Sequence, residues 1–178
     1  MTHIKDDIEA VARLALVGYT FDEAFDQYSR GQFPYYMYGH LVEINERLNV
    51  KSKGNAATKN SKYPMIALRA DVVAEKAAGM VNYSLNVAIF TNTSRGLNAE
   101  QRTDQKFIPV LIPIYNQFIT ALRSSGLFTW SGHPIPKHTY IERPFWGTPP
   151  GDSTTKQILD DPVDCIELVN LELKKVNC

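Results

Sequence analysis

The side chains of this 178-residue chain best equipped for chemistry are a few histidines and one acidic cluster. His133-Pro-Ile-Pro-Lys-His138 carries two imidazoles separated by prolines, so they share no helical face, and His40 stands alone far upstream. A zinc centre needs ligands that converge at fixed spacing, as in HExxH, and no such spacing is present. Asp160, Asp161 and Asp164 gather three carboxylates ahead of an apolar run, either oxygen donors for a divalent cation or ordinary turn and strand-edge acids. Glu43 and Glu46, three apart, read as the solvated face of a helix. Cys165 lies in an apolar stretch and reads as a small buried residue, Cys178 as a free thiol, and the pair gives no disulfide framework. GxSxG, P-loop and GxGxxG motifs are absent. The sequence therefore assigns no catalytic residue, no metal and no cofactor.

The elements that position these residues are more legible. Tyr63-Pro-Met-Ile-Ala-Leu-Arg69 opens with a proline and reads as a strand. Val81, Tyr83, Leu85, Val87 and Ile89 alternate with smaller, mostly polar residues, which predicts a strand with one buried face. After a turn at Thr93-Ser-Arg-Gly96 the spacing becomes helical. Phe107, Leu111, Ile114, Phe118 and Leu122 form one stripe, and Asn98 with Gln101 caps its start. Pro109 and Pro113 sit inside that stripe and predict a bend, or a break that restarts the helix. Upstream, Ile4, Ile8, Val11, Ala12, Ala15 and Leu16 predict a helix over 4–17, and Thr20-Phe-Asp-Glu23 begins a shorter one through Ser29. Leu41, Ile44 and Leu48 suit a helix over 39–48, and Asp71 to Gly79 reads as a helical turn or a loop. Short strands are expected at 127–130 and 139–143. A last strand over 162–176 changes phase midway, which implies a bulge or burial on both faces. The fold expected is a single α+β domain over 1–178, a mostly antiparallel sheet with one long helix packed on a face and extra N-terminal helices in 1–50.

Two loops project from that body. Residues 51–62 carry Lys51, Lys53, Lys59 and Lys62 with no acid and no large apolar residue. They read as a solvated linker or as a contact surface for an acidic partner or nucleic acid. Residues 143–156 are crowded with Pro and Gly, yet hold Phe145 and Trp146, which are either a local core under the loop or anchors presented to a neighbour. Lys plus Arg and Asp plus Glu are each 19, which argues against a dedicated nucleic-acid binder working through a large basic surface. No stretch approaches the roughly 20 apolar residues of a membrane span. Met1-Thr-His-Ile-Lys-Asp-Asp7 lacks the apolar core of a secretion signal, so synthesis in the cytoplasm without a membrane is expected.

Several phrases together resemble a known group. Lys62-Tyr-Pro-Met-Ile-Ala-Leu68, Tyr83-Ser-Leu-Asn-Val-Ala-Ile-Phe-Thr-Asn-Thr93, Phe107-Ile-Pro-Val-Leu-Ile-Pro-Ile-Tyr115 and Asp161-Pro-Val-Asp-Cys-Ile-Glu-Leu-Val-Asn-Leu-Glu-Leu173 follow in order. This layout, over roughly 41–176, is similar to the tail-completion and tail-terminator proteins of tailed bacteriophages and to head–tail neck proteins. The resemblance implies a structural virion protein, made in the host cytoplasm, that closes into a ring around the DNA channel at the tail or neck. It implies contacts with other neck, portal or tail proteins, with DNA passing through the channel without specific binding, and no catalysis. The helical N-terminus and the loop at 143–151 depart from a minimal terminator, so terminator, adaptor ring and other neck component stay open. Two alternatives come from the residues themselves: a small cytosolic enzyme with a pocket near His133, His138 and Asp160, and a nucleic-acid-binding module using Lys51, Lys53, Lys59 and Lys62. For a ring, Phe145 and Trp146 are the candidate anchors, the two loops the main surfaces and the N-terminal helix a lateral arm. On this reading, replacing Phe145 and Trp146 with alanine leaves a folded monomer that assembles poorly. Circular dichroism and sizing of the double variant check it, and unfolding would put both residues in the core.

Overall fold

A computed structural model of the chain describes residues 3–17, 35–52, 63–77, 79–146 and 162–176. Its centre is a six-stranded mixed sheet, and three helices pack on it, which makes the α+β class plain. In chain order the elements are α1 (Ile4–Ala15), β1 (Tyr36–Gly39), α2 (Leu41–Ser52), β2 (Met65–Arg69), β3 (Val73–Ala77) and β4 (Met80–Asn92). The long helix α3 (99–124) follows, then β5 (Thr139–Arg143) and β6 (Val163–Val176). Strands are ordered β1-β2-β4-β6-β5, with β3 beside the first half of β4. Among the described strands only the β1–β2 pair is parallel.

The alternation read in β4 sorts its residues onto two cores. Leu85, Val87 and Ile89 meet Ile66, Leu68, Ile166, Leu168, Leu171 and Leu173 beneath α1 and α3. Ala88 and Phe90 face the other way, where Met37, Met65, Ala67, Val163 and Cys165 pack under Ile44 and Leu48 of α2. A helix thus covers the second face as well, but only at one end of the sheet. Burial pushes the Cys165 thiol well up from its ordinary value. Tyr36, whose hydroxyl donates to the Lys5 carbonyl at 2.8 Å, is raised by burial and then by Glu9 and Asp6.

The helix α3 begins with the expected cap. Asn98 Oδ1 accepts from the Gln101 N–H at 2.8 Å, and Gln101 Oε1 accepts from the Asn98 N–H at 3.0 Å. An α-turn at Ala99–Arg102 runs into a π-helical stretch at Thr103–Leu111 and returns to α at Ile112–Ser124, one helix of 26 residues in all. The prolines account for the change of winding. Neither proline has an N–H to give: Pro109 lies inside the π stretch, and Pro113 two residues past its end, where the α winding resumes. The helix widens across the two prolines and does not break.

Three expectations change. Residues 73–77 form β3, not a helical turn: they pair with 80–84 of β4 across a turn in which Gly79 has φ +78. Val73 to Lys76 are exposed in succession, so no alternation marks the strand, and pairing with β4 decides against the helical preference of alanine. The helix predicted over 39–48 occupies 41–52. Gly39 belongs to β1, and a Cβ there would stand 2.8 Å from Glu43 Oε2, which accepts from the His40 N–H at 2.8 Å. At 127–130 only Thr129 pairs, with Lys174. The helix expected over 20–29 lies outside the described residues.

The phase change in β6 is a bulge. Leu85 pairs with Leu171 and Val87 with Leu168, so Val169 and Asn170 together face Asn86. Asn170 takes φ +54, a conformation tolerated by asparagine and glycine and costly for other side chains. Its N–H donates to Asn86 Oδ1 at 3.1 Å, while Asn86 Nδ2 donates to Asp71 Oδ2 at 3.1 Å. Asn86 thus pins a second irregularity, where residues 69–72 lie opposite 85–86. Asn170→Gly is expected to keep full stability, while Asn170→Val loses about 1–2 kcal/mol, measured by urea unfolding.

Candidate functional site

Beyond the Asn86 line, the sheet face opposite α1 and α3 is open. Val73 and Glu75 of β3, Asn82 and Ser84 of β4, and Glu172 and Lys174 of β6 project there, because paired residues of antiparallel strands share a face. The edge segment 130–139 rises beside them and contributes His133, Lys137 and His138 to the wall of a cleft of about 830 Å³. Lys137 pairs with Glu172 at 2.9 Å, and Lys174 Nζ reaches Ser131 Oγ at 3.4 Å. Asn82 Oδ1 is buried and has no hydrogen-bond partner among the described residues.

The two histidines of 133–138 therefore line one cleft, but their roles differ. His138 Nδ1 donates to the Pro136 carbonyl at 2.8 Å, which leaves Nε2 of the neutral ring to accept from the Tyr115 hydroxyl at 2.9 Å. This ties the wall to α3. Tyr115 is raised by burial and meets Tyr140 edge-on at 5.1 Å. Tyr140 is raised by burial and then by its bond to Glu142 at 2.8 Å. His133 contributes its carbonyl, accepting from Trp130 Nε1 at 3.1 Å. Among the described residues no group of His, Cys, Asp or Glu could hold a metal ion.

Of the acidic trio only Asp164 is among the described residues, Asp160 and Asp161 lying outside them. Asp164 is buried and bound to Arg102 at 3.0 Å. The same guanidinium donates to Thr93 Oγ1 at 3.0 Å, Ser94 O at 2.8 Å and Leu97 O at 2.9 Å. Its Cζ stands 3.6 Å from the centre of the Phe145 ring. Asp164 Oδ1 also accepts from the Phe145 N–H at 3.1 Å. That bond and the stacked cation hold Phe145 at φ +52, a strained value for an aromatic residue. Arg102 gave no motif to read. Its only sequence signal is a charge on the buried side of a helix start.

Phe145 and Trp146 are tucked beneath the turn and packed within this chain. Trp146 is 6 % exposed, stacks on Phe90 at 5.1 Å and donates its indole N–H to Glu167 at 2.7 Å. Phe145 is half-buried under Arg102. Of the lysines, Lys51 falls in the last turn of α2, and Lys53, Lys59 and Lys62 lie outside the described residues. Helix α1 is not a free arm. Ile4, Ile8, Val11, Ala12 and Ala15 are buried, and Asp7 forms an ion pair with Lys175 of β6. Glu43 caps His40, while Glu46 is exposed.

The surface that sequence reading missed is formed by two exposed edge strands, β3 and β5. Val73 to Lys76 of β3 are exposed, as are Thr139, Tyr140, Glu142 and Arg143 of β5. Among the described residues each strand pairs on one side alone. No family model matches this chain, and no curated protein matches it. No helix among the described residues is long and apolar enough to cross a membrane.

Replacing Arg102 with methionine leaves Asp164 buried without its cation, and a loss of about 3–5 kcal/mol is expected. Trp146→Ala is expected to cost a similar 3–5 kcal/mol through the cavity beside Phe90. Urea unfolding measures both, and a loss under 1 kcal/mol in either would remove it from the core framework.

Proposed function

We propose that this chain is a structural subunit that closes with copies of itself into a ring, in the manner of the phage tail-terminator and neck proteins it resembles. The observation that carries the reading is the pair of exposed strand edges, β3 and β5, on opposite sides of one sheet. Bare edges are templates for pairing, and natural monomers cover or blunt them. Two different edges suit the head-to-tail contact from which closed rings are built. Between them lies a packed body, its sheet tied to the start of α3 by the Arg102–Asp164 pair. The balance of 19 basic and 19 acidic residues suits a channel that lets DNA pass without gripping it. On this proposal the chain resides in the virion and meets portal, neck or tail proteins along the ring axis.

The cleft lined by His133 and His138 favours a second reading, a small enzyme acting on a ligand held among Glu75, Lys137 and Glu172. The mass of the purified protein separates the two. Light scattering behind a sizing column, at several concentrations, is expected to show one integer multiple of the chain mass, with annular particles in negative stain. A single-chain mass throughout, with a ligand recovered in the cleft, would overturn the ring.

A further inference from the structure

We infer that neighbouring copies join by sheet extension, β3 of one copy pairing antiparallel with β5 of the next; this rests on the ring reading above. The strand directions require that sense. β3, β4, β6 and β5 each run opposite to the one before, so β3 and β5 are antiparallel to each other. A copy brought alongside by rotation about an axis keeps those directions and sets the two edges together as an antiparallel pair.

The faces match too. On β3, Val73 and Glu75 share the cleft face with Ser84 and Asn82. On β5, Ile141 and Arg143 pair with Glu167 and Cys165 and share that same face, while Tyr140 and Glu142 lie on the α3 side. Both strands have five residues. Overlapped end to end, Val73 stands opposite Arg143 and Lys76 opposite Tyr140. Glu75 is then a diagonal neighbour of Arg143 on the cleft face, and Lys76 a diagonal neighbour of Glu142 on the helix face. Opposite charges on both faces favour that register, with Arg143 and Glu142 shared between the neighbour and their own partners Glu167 and Tyr140, and long side chains reach across such diagonals. Within one copy Glu75 and Lys76 form no ion pair with any described residue, so a neighbour can supply their partners.

Closure follows from the stagger of the edges. Glu75 is level with Asn82 of β4, whereas Ile141 is level, through Glu167, with Ala88. Joining them offsets successive copies by six residues of strand, roughly 20 Å at ~3.3 Å per residue. Each copy spans four strand spacings of ~4.8 Å, about 19 Å across. Strands therefore incline at roughly 45° to the ring axis, close to the tilt at which sheets close into barrels.

Cysteine cross-linking and charge reversal test this in the full chain. With Cys178→Ser as background, the double variant Lys76→Cys, Tyr140→Cys is expected to give, on mild oxidation, a ladder of covalent oligomers ending at the ring. Each single variant gives none. Lys76→Glu should weaken association at least tenfold, and adding Glu142→Lys should restore it. Circular dichroism melts confirm that these exposed changes leave the fold intact. If the unmodified protein assembles but the double-cysteine variant gives no ladder and Lys76→Glu has no effect, the pairing falls while the ring stands. If the unmodified protein stays a single chain at every concentration, the ring falls and the pairing with it.

Discussion

The fold depends most on a buried ion pair, Arg102 with Asp164, which ties the start of the long helix to the start of the last strand. Removing two charges from water is costly, and the pair alone does not offset that cost. The geometry adds what is missing. The guanidinium also reaches Thr93 Oγ1 and the carbonyls of Ser94 and Leu97, and it lies on the Phe145 ring. Asp164 in turn fixes the backbone at Phe145. Segments far apart in sequence, 93–102, 143–146 and 162–164, are thereby held at one end of the sheet. Trp146 follows from this arrangement: once the turn is pinned, its indole drops onto Phe90.

A second constraint bends the sheet. Asn86 bonds to Asn170 on one side and to Asp71 on the other, at the point where both neighbouring strands carry extra residues. On one side of this line α2 and Trp146 cover the second face; on the other the same face is bare and becomes the floor of the cleft. Coverage and exposure are thus divided along a single row of residues. The exposed edges belong to strands paired into the same sheet, and that pairing fixes the register an edge can present to a neighbour.

Helix α3 shows how a local fault is absorbed. Two prolines one turn apart predict a bend or a break; the helix stays continuous and carries a π stretch around Pro109. The wider winding keeps Phe107 and Leu111 in the core in line with Ile114, Phe118 and Leu122. Ile108 is left exposed on the outer side. The apolar stripe outweighs the lost backbone bonds, since burial over the whole helix exceeds what two missing donors cost.

What the sequence determined by itself is whatever is written in near neighbours. The alternation of Val81 to Ile89, the stripe of α3, the Asn98–Gln101 cap and the phase change in β6 are patterns of a few residues, and each forms where it was read. Tertiary structure alone decided β3, whose residues are exposed in succession and carry no alternation, so only the partner strand defines it. It also decided the partner of Arg102, sixty-two residues away, and the burial of Trp146, because a loop's aromatics find their pocket only after distant strands have met. The exposed edges were illegible, and of the cleft only His133 and His138 could be named in advance. Exposure is a property of what fails to pack against a residue, and no local pattern encodes it.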